Sequence, residues 1–132
     1  MPEHTAPELL LPRPLINQLL HIAQSAPAGV RWGFISARGP VPTHCHPIKK
    51  LDADCIASVQ LKIDRQGETL FALYRVDSAE ADVPDLSDIE QFNVNVPLLL
   101  GVSLGTKGVL QLHGWQISSW HPVELGIGIS ET

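Results

Sequence analysis

The 132-residue sequence predicts a single α/β domain in which a mixed β-sheet is flanked by helices. Three observations lead there. Apolar residues recur at helical spacing early in the chain, short runs of strand character follow, and a second helix signal precedes further strands. Elements in that order bury themselves best as layers, with helices against a sheet. The 44% hydrophobic and 17% charged residues suit a packed core and are unlike a disordered chain. The sequence shows neither an internal repeat nor a second domain.

Residues 1–13 hold several prolines and little pattern, and read as an N-terminal arm before one domain over 14–132. Pro14 suits the first position of a helix, where its fixed φ helps and its missing N–H is not needed. Leu15, Ile16, Leu19, Leu20 and Ala23 carry the helical spacing to Ser25, and Ala26-Pro27-Ala28-Gly29 ends it. Arg31 to Ala37 reads as a buried strand around Gly33. Gly39-Pro40-Val41-Pro42 is a turn or loop. Thr43 to Asp54 is polar and without a clear period. Val59, Leu61 and Ile63 alternate with Gln60 and Lys62, so Ser58 to Val76 is expected as a hairpin turning at Asp64-Arg65-Gln66-Gly67.

Asp77 to Asp85 is an acidic loop. Asp85 can cap a short helix through Asn95, with Asp88 in the first turn, where a negative charge suits the dipole. Pro97 breaks that helix. Leu98 to Leu104 reads as a buried strand, Gly105-Thr106-Lys107-Gly108 as a tight turn, and Val109 to Ile117 as its partner. A last strand is expected over Val123 to Ile129.

The formal charge of -5 comes with no basic run that could track phosphates, so no nucleic-acid partner is expected. No stretch approaches the roughly 20 apolar residues of a membrane span. Met1-Pro2-Glu3-His4 lacks the basic start and apolar run of a signal peptide. No membrane partner is expected, and a cytoplasmic location follows by default. The two cysteines, Cys45 and Cys55, are too few for a disulfide framework and read as buried free thiols.

His44-Cys45-His46 is the one compact cluster with ligand chemistry. In an extended segment His44 and His46 share a face, as two metal ligands would, and His113, His121, Cys55 or an Asp could add a third. Pro47 and a loop-like neighbourhood favour solvated or hydrogen-bonded histidines instead. Cys45 faces away from both neighbours in an extended chain, so a Cys-His nucleophile pair is disfavoured. His113, alternating with Gln111 and Trp115, reads as a satisfied, partly buried histidine. Trp32, Trp115 and Trp120 read as core or rim.

Three segments in order resemble the JAB/JAMM (MPN) domain family, prokaryotic type. The opening helix leading to Val30-Arg31-Trp32-Gly33-Phe34-Ile35 is similar to the family's helix, Glu-x-x-Gly and apolar strand. Tyr74-Arg75-Val76-Asp77, followed by Pro84-Asp85-Leu86-Ser87-Asp88, is similar to its His-x-His strand end, loop and Pro-Ser-x-x-Asp helix start. Gly101-Val102-Ser103-Leu104, the turn and Leu110 to Ile117 are similar to its closing hairpin. The likeness covers residues 14 to 129. It implies an α/β fold of JAB/JAMM type and, in active members, a zinc-bound water that attacks a peptide or isopeptide carbonyl beside a ubiquitin-like tail.

Position by position, the resemblance leaves little of that chemistry. Val30 takes the place of the general base, Arg75 and Asp77 take the two His places, and Asp85 takes the Ser place. Only Asp88 matches outright. Arg75 has no lone pair to give a metal. Two unit charges ~4 Å apart interact by about 4 kcal/mol at an effective dielectric near 20, and a dication doubles the repulsion. Pairing of Arg75 with Asp77, Asp85 or Asp88 could replace the metal as the pocket's staple. The layout departs from the family at one point, since many relatives have a helix where the hairpin is expected here.

The resemblance therefore implies a non-catalytic domain that binds or assembles with a protein or peptide, a ubiquitin-like tail among them, or with a second copy of the chain. No cofactor is expected. The alternative is a zinc metallo-isopeptidase or peptidase with remodelled ligands, using Asp77 and Asp88 with His44 or His46.

Overall fold

The elements run β1 (Leu9–Pro12), α1 (Arg13–Ser25), β2 (Arg31–Arg38), β3 (Val41–Ile48), α2 (Ala53–Arg65), β4 (Thr69–Val76), β5 (Leu98–Leu104), β6 (Leu110–Ser118), β7 (His121–Leu125) and β8 (Ile127–Ser130). The computed structural model describes residues 9–25, 31–50, 52–76, 98–104, 110–118 and 121–130, the side chains at 117, 118, 121–123 and 130 excepted. Val30, Asp77, Asp85, Asp88 and Trp120 lie outside these residues, as does the helix expected after Asp85.

Six strands form one sheet in the order β3-β2-β4-β5-β6-β7. Neighbours are antiparallel except β4 and β5, so the sheet is mixed. The helix α1, with β1, covers one face, packing Leu15 and Leu19 over Ile35, Tyr74, Leu100 and Val102. The helix α2 covers the other, with Ile56 and Ile63 over Phe34, Leu73 and Leu99. Each fully buried aliphatic or aromatic side chain contributes roughly 1.5–3 kcal/mol, which is what a half-exposed sheet face would lack. The chain is thus a small α/β domain with helices on both faces of a mixed sheet. Among the described residues no helix is long and apolar enough to cross a membrane.

Close packing leaves its clearest mark at Gly33, which lies opposite Tyr74 in the β2–β4 register. A Cβ built there would overlap the Tyr74 ring. The ring itself is 1% exposed, so it occupies the volume that any larger residue at 33 would need.

The expected hairpin over Ser58 to Val76 is instead the second half of α2 followed by β4. Asp52 starts the helix, its carboxylate accepting the Cys55 N–H at 2.7 Å. Lys62 and Arg65 in the last turn suit the helix dipole. Ile56, Val59 and Ile63 recur at helical spacing and pack together against the sheet. Leu61, which completed the apparent alternation, is 49% exposed. Gly67 then takes φ 73, a left-handed conformation that favours glycine, and turns the chain into β4.

The turn after β2 is also shorter than expected. Only Gly39 and Pro40 form it, and the aperiodic stretch beyond is strand β3 as far as Ile48. β3 is an edge strand, where Pro42 and Pro47 are tolerated because the ladder has one side only. Gln18 of α1 closes part of the open side. Its amide donates to the Thr43 carbonyl at 2.9 Å and accepts the Cys45 N–H at 3.0 Å. The side chain thus stands in for a neighbouring strand, which protects an edge from pairing with other chains. Gln18→Ala should lower stability by about 1–2 kcal/mol and increase self-association, read by urea unfolding and sedimentation velocity. Unchanged behaviour in both would mean that the prolines protect the edge alone.

Two further differences concern the ends of the described chain. Residues 9–12, read with the arm, form β1, and Leu11 is fully buried. The single strand expected over Val123 to Ile129 is two, separated at Gly126. β7 joins the six-stranded sheet, whereas β8 pairs in parallel with β1, Leu9 opposite Ile127 and Leu11 opposite Ile129.

Candidate functional site

The start of β2 and the end of β4 lie side by side, Arg31 opposite Val76 and Trp32 opposite Arg75. These are the segments where the resemblance places the family's general base and its histidines. The Arg75 guanidinium carbon lies 5.8 Å from the centroid of the Trp32 ring, within range of a cation–π contact. Trp32 is itself 7% exposed and serves as core, as expected. On the other side Arg75 is opposite Gly101 of β5, which is opposite His113 of β6. His113 bonds through Nδ1 to Glu124 at 3.2 Å and stacks on Trp115 at 5.9 Å. It is the satisfied, partly buried histidine that the alternation implied. Pairing of Arg75 with Asp77, Asp85 or Asp88 falls outside the described residues, as does the former base position Val30.

A second polar locus lies toward the other end of β2. Ser36, His46 and Glu68 are all buried, on β2, on β3 and just before β4. The Ser36 hydroxyl donates to Glu68 Oε1 at 2.6 Å and meets His46 Nε2 at 2.8 Å. Thr43 Oγ1 donates to the same carboxylate oxygen at 2.9 Å, and His44 Nδ1 reaches it at 3.1 Å. Arg38 approaches the other oxygen at 3.5 Å. The carboxyl is held down at about 2, above all by the Ser36 hydrogen bond, against the opposing effect of burial. It is closed to water yet shallow, because the side chains over it, His44 and Arg38, are 55% and 71% exposed.

A serine, a histidine and a carboxylate together invite comparison with a hydrolytic triad, but the connectivity is wrong. In a triad the carboxylate orients the imidazole, and the imidazole alone bonds the serine. Here the carboxylate bonds the serine directly, and Ser36 is 0% exposed, so no substrate carbonyl can reach it. The arrangement joins three strands and performs no chemistry of that kind.

His44 and His46 do share one face of β3, with ring centroids 6.2 Å apart. Both are engaged by Ser36 or Glu68, and among the described residues no group of three or more His, Cys, Asp or Glu side chains is arranged to hold a metal ion. Cys45 packs beneath α1 on the opposite side of the sheet, and burial pushes its thiol up to about 12, which leaves it unreactive at neutral pH. Sequence reasoning missed Ser36, Thr43 and Glu68 as partners. The one local signal was Ser36, a lone hydroxyl inside the apolar run Phe34-Ile35-Ser36-Ala37.

Solved structures resemble this fold along most of its length. A protein from Desulfitobacterium hafniense, determined in solution, matches with a TM-score of 0.73 at 16% identity, covering 94% of each chain. A solution structure from Salinibacter ruber gives 0.64 at 14% identity, over 92% of this chain and 91% of that one. A JAB1/MPN domain protein from Archaeoglobus fulgidus, a crystal structure, gives 0.57 at 14% identity, over 92% and 97%. No family model and no curated protein matches the sequence. The chain therefore has a JAB/MPN-like fold, and identities this low establish the fold alone. The helix α2 also fills the place where the sequence had suggested a departure from that layout.

Proposed function

We propose that this chain is a non-catalytic JAB/MPN-like domain that serves as a binding or assembly module for a protein or peptide. The observation that supports this is Arg75, set at the end of β4 over Trp32. In the resemblance this position carries a zinc-binding histidine. A guanidinium offers a metal no lone pair and stays charged at any physiological pH, so the described member of the ligand set does not fit zinc. The alternative hydrolase would have to recruit His44 or His46, and each is already bonded to Glu68 or Ser36.

An extended tail, a ubiquitin-like one among them, is the partner class that the family resemblance implies. Strand addition at the β3 edge is opposed by Gln18, which occupies two of its backbone groups. Elemental mass spectrometry of protein purified without chelator or affinity tag tests the reading. Zinc far below a stoichiometric amount is expected. A stoichiometric content would overturn the proposal, and Asp77→Ala, Asp88→Ala and His44→Ala would then show which residues hold the metal.

A further inference from the structure

The Ser36–His46–Glu68 cluster has no part in the binding role above, and it ties the edge strand β3 to β2 and to the start of β4. We propose that it is an acid-sensitive latch on β3, closed while His46 is neutral and loosened when the imidazole takes a second proton. Burial of the His46 ring, 6% exposed, carries the argument, and the bonding pattern locates its protons. The single Ser36 hydroxyl proton goes to the carboxylate of Glu68, the stronger acceptor, at 2.6 Å. His46 must then supply the hydrogen of the 2.8 Å contact to Ser36, so its neutral form is the tautomer protonated on Nε2.

A second proton has to enter at Nδ1, and no described side chain hydrogen-bonds that nitrogen. The surroundings oppose the added charge from several directions. The positive charge of Lys62 on α2 opposes it, as does His44 on β3, whose ring centroid lies 6.2 Å away. Phe34, opposite His46 on β2, is apolar and fully buried. Glu68 attracts the charge, but its carboxylate already accepts from Ser36 and Thr43 and is approached by His44 and Arg38. Burial is the largest influence, followed by Lys62 and then His44, and together they hold the imidazole below its ordinary value of 6.5.

The sign follows from linkage. Below 6.5 an imidazole released by opening takes up a proton that the closed latch resists, so acid favours opening. Glu68, held at about 2, keeps its charge through mild acid and does not contribute in that range. The response therefore belongs to β3 and to His46, and the strongly paired strands of the sheet centre stay closed.

Hydrogen–deuterium exchange of the full chain, compared between about pH 7.5 and about pH 5.5 after correction for intrinsic rates, tests the latch. In the unmodified protein, amides of β3 should lose protection several-fold more than those of β5. His46→Gln, whose amide can still donate to Ser36, should abolish that difference, whereas His44→Gln should keep it. The proposal is overturned if His46→Gln responds like the unmodified protein, if the response disappears only in His44→Gln, or if β3 and β5 lose protection together. Should His46→Gln fail to fold, the imidazole titration followed by NMR in the unmodified protein decides. A His46 midpoint below 6.5, shared by the β3 amides, supports the latch, and one at or above 6.5 overturns it.

Discussion

Replacing Glu68 with leucine should cost about 2–4 kcal/mol of folding free energy, read as the difference in urea unfolding between Glu68→Leu and the unmodified chain. The carboxylate oxygen Oε1 serves Ser36, Thr43 and His44 at 2.6, 2.9 and 3.1 Å. Leucine fills similar volume and accepts nothing, so a fully buried hydroxyl loses the acceptor for its proton. Bonds to a charged acceptor are individually worth about 1.5–3 kcal/mol, but their sum is not reached here. The carboxylate lies under the half-exposed His44 and the exposed Arg38, so solvent screening reduces what each bond contributes. Glu68→Gln keeps an acceptor and should lose about half as much. A loss below about 1 kcal/mol for leucine would show that the cluster bears little of the fold's stability. Acid should mimic the substitution. The folded carboxyl sits below the unfolded one, so its contribution is complete above 4.5 and disappears as pH falls toward about 2.

Gly33→Ala should be comparably severe, at about 3 kcal/mol, although it adds a single methyl group. The methyl would enter the space of the Tyr74 ring, on adjacent strands whose backbones are fixed by the β2–β4 ladder. Tyr74 is packed with Ile35 and Val76 beneath α1 and β1, so a shift of the ring disturbs the whole layer. The discriminating measurement is a double-mutant cycle. If the overlap is the cause, Gly33→Ala should cost markedly less in a Tyr74→Leu background than alone. Additive losses would place the cause in the backbone of β2 instead.

Much of the fold was legible because its signals are local. The α1 periodicity, and the apolar runs of β4 and β5 bounded by turns, gave those elements almost residue for residue. Two elements were obscured for physical reasons. In α2 the residues Val59, Leu61 and Ile63 mimic a strand, and only the solvent-facing position of Leu61 shows that the period is helical. In β3 two prolines and a run of polar residues resemble a loop, because an edge strand with polar partners needs neither a full ladder nor an apolar pattern. Arg75 was singled out through the family resemblance. The Ser36–Glu68 bond was not, since its partners are 32 residues apart and neither declares the other.

The pairing of β1 with β8 has a consequence for how the molecule is made. Leu9 meets Ile127 and Leu11 meets Ile129, the most distant partners in the described sequence. Closing so long a loop is entropically costly, and no contact between these strands can form before β8 has been synthesised. Leu9 and Leu11 therefore keep their buried neighbours incomplete until β8 has been made, and β1 is expected to dock late. During that interval the nascent chain offers an unpaired, leucine-rich strand, the kind of extended apolar segment that invites aggregation until it docks.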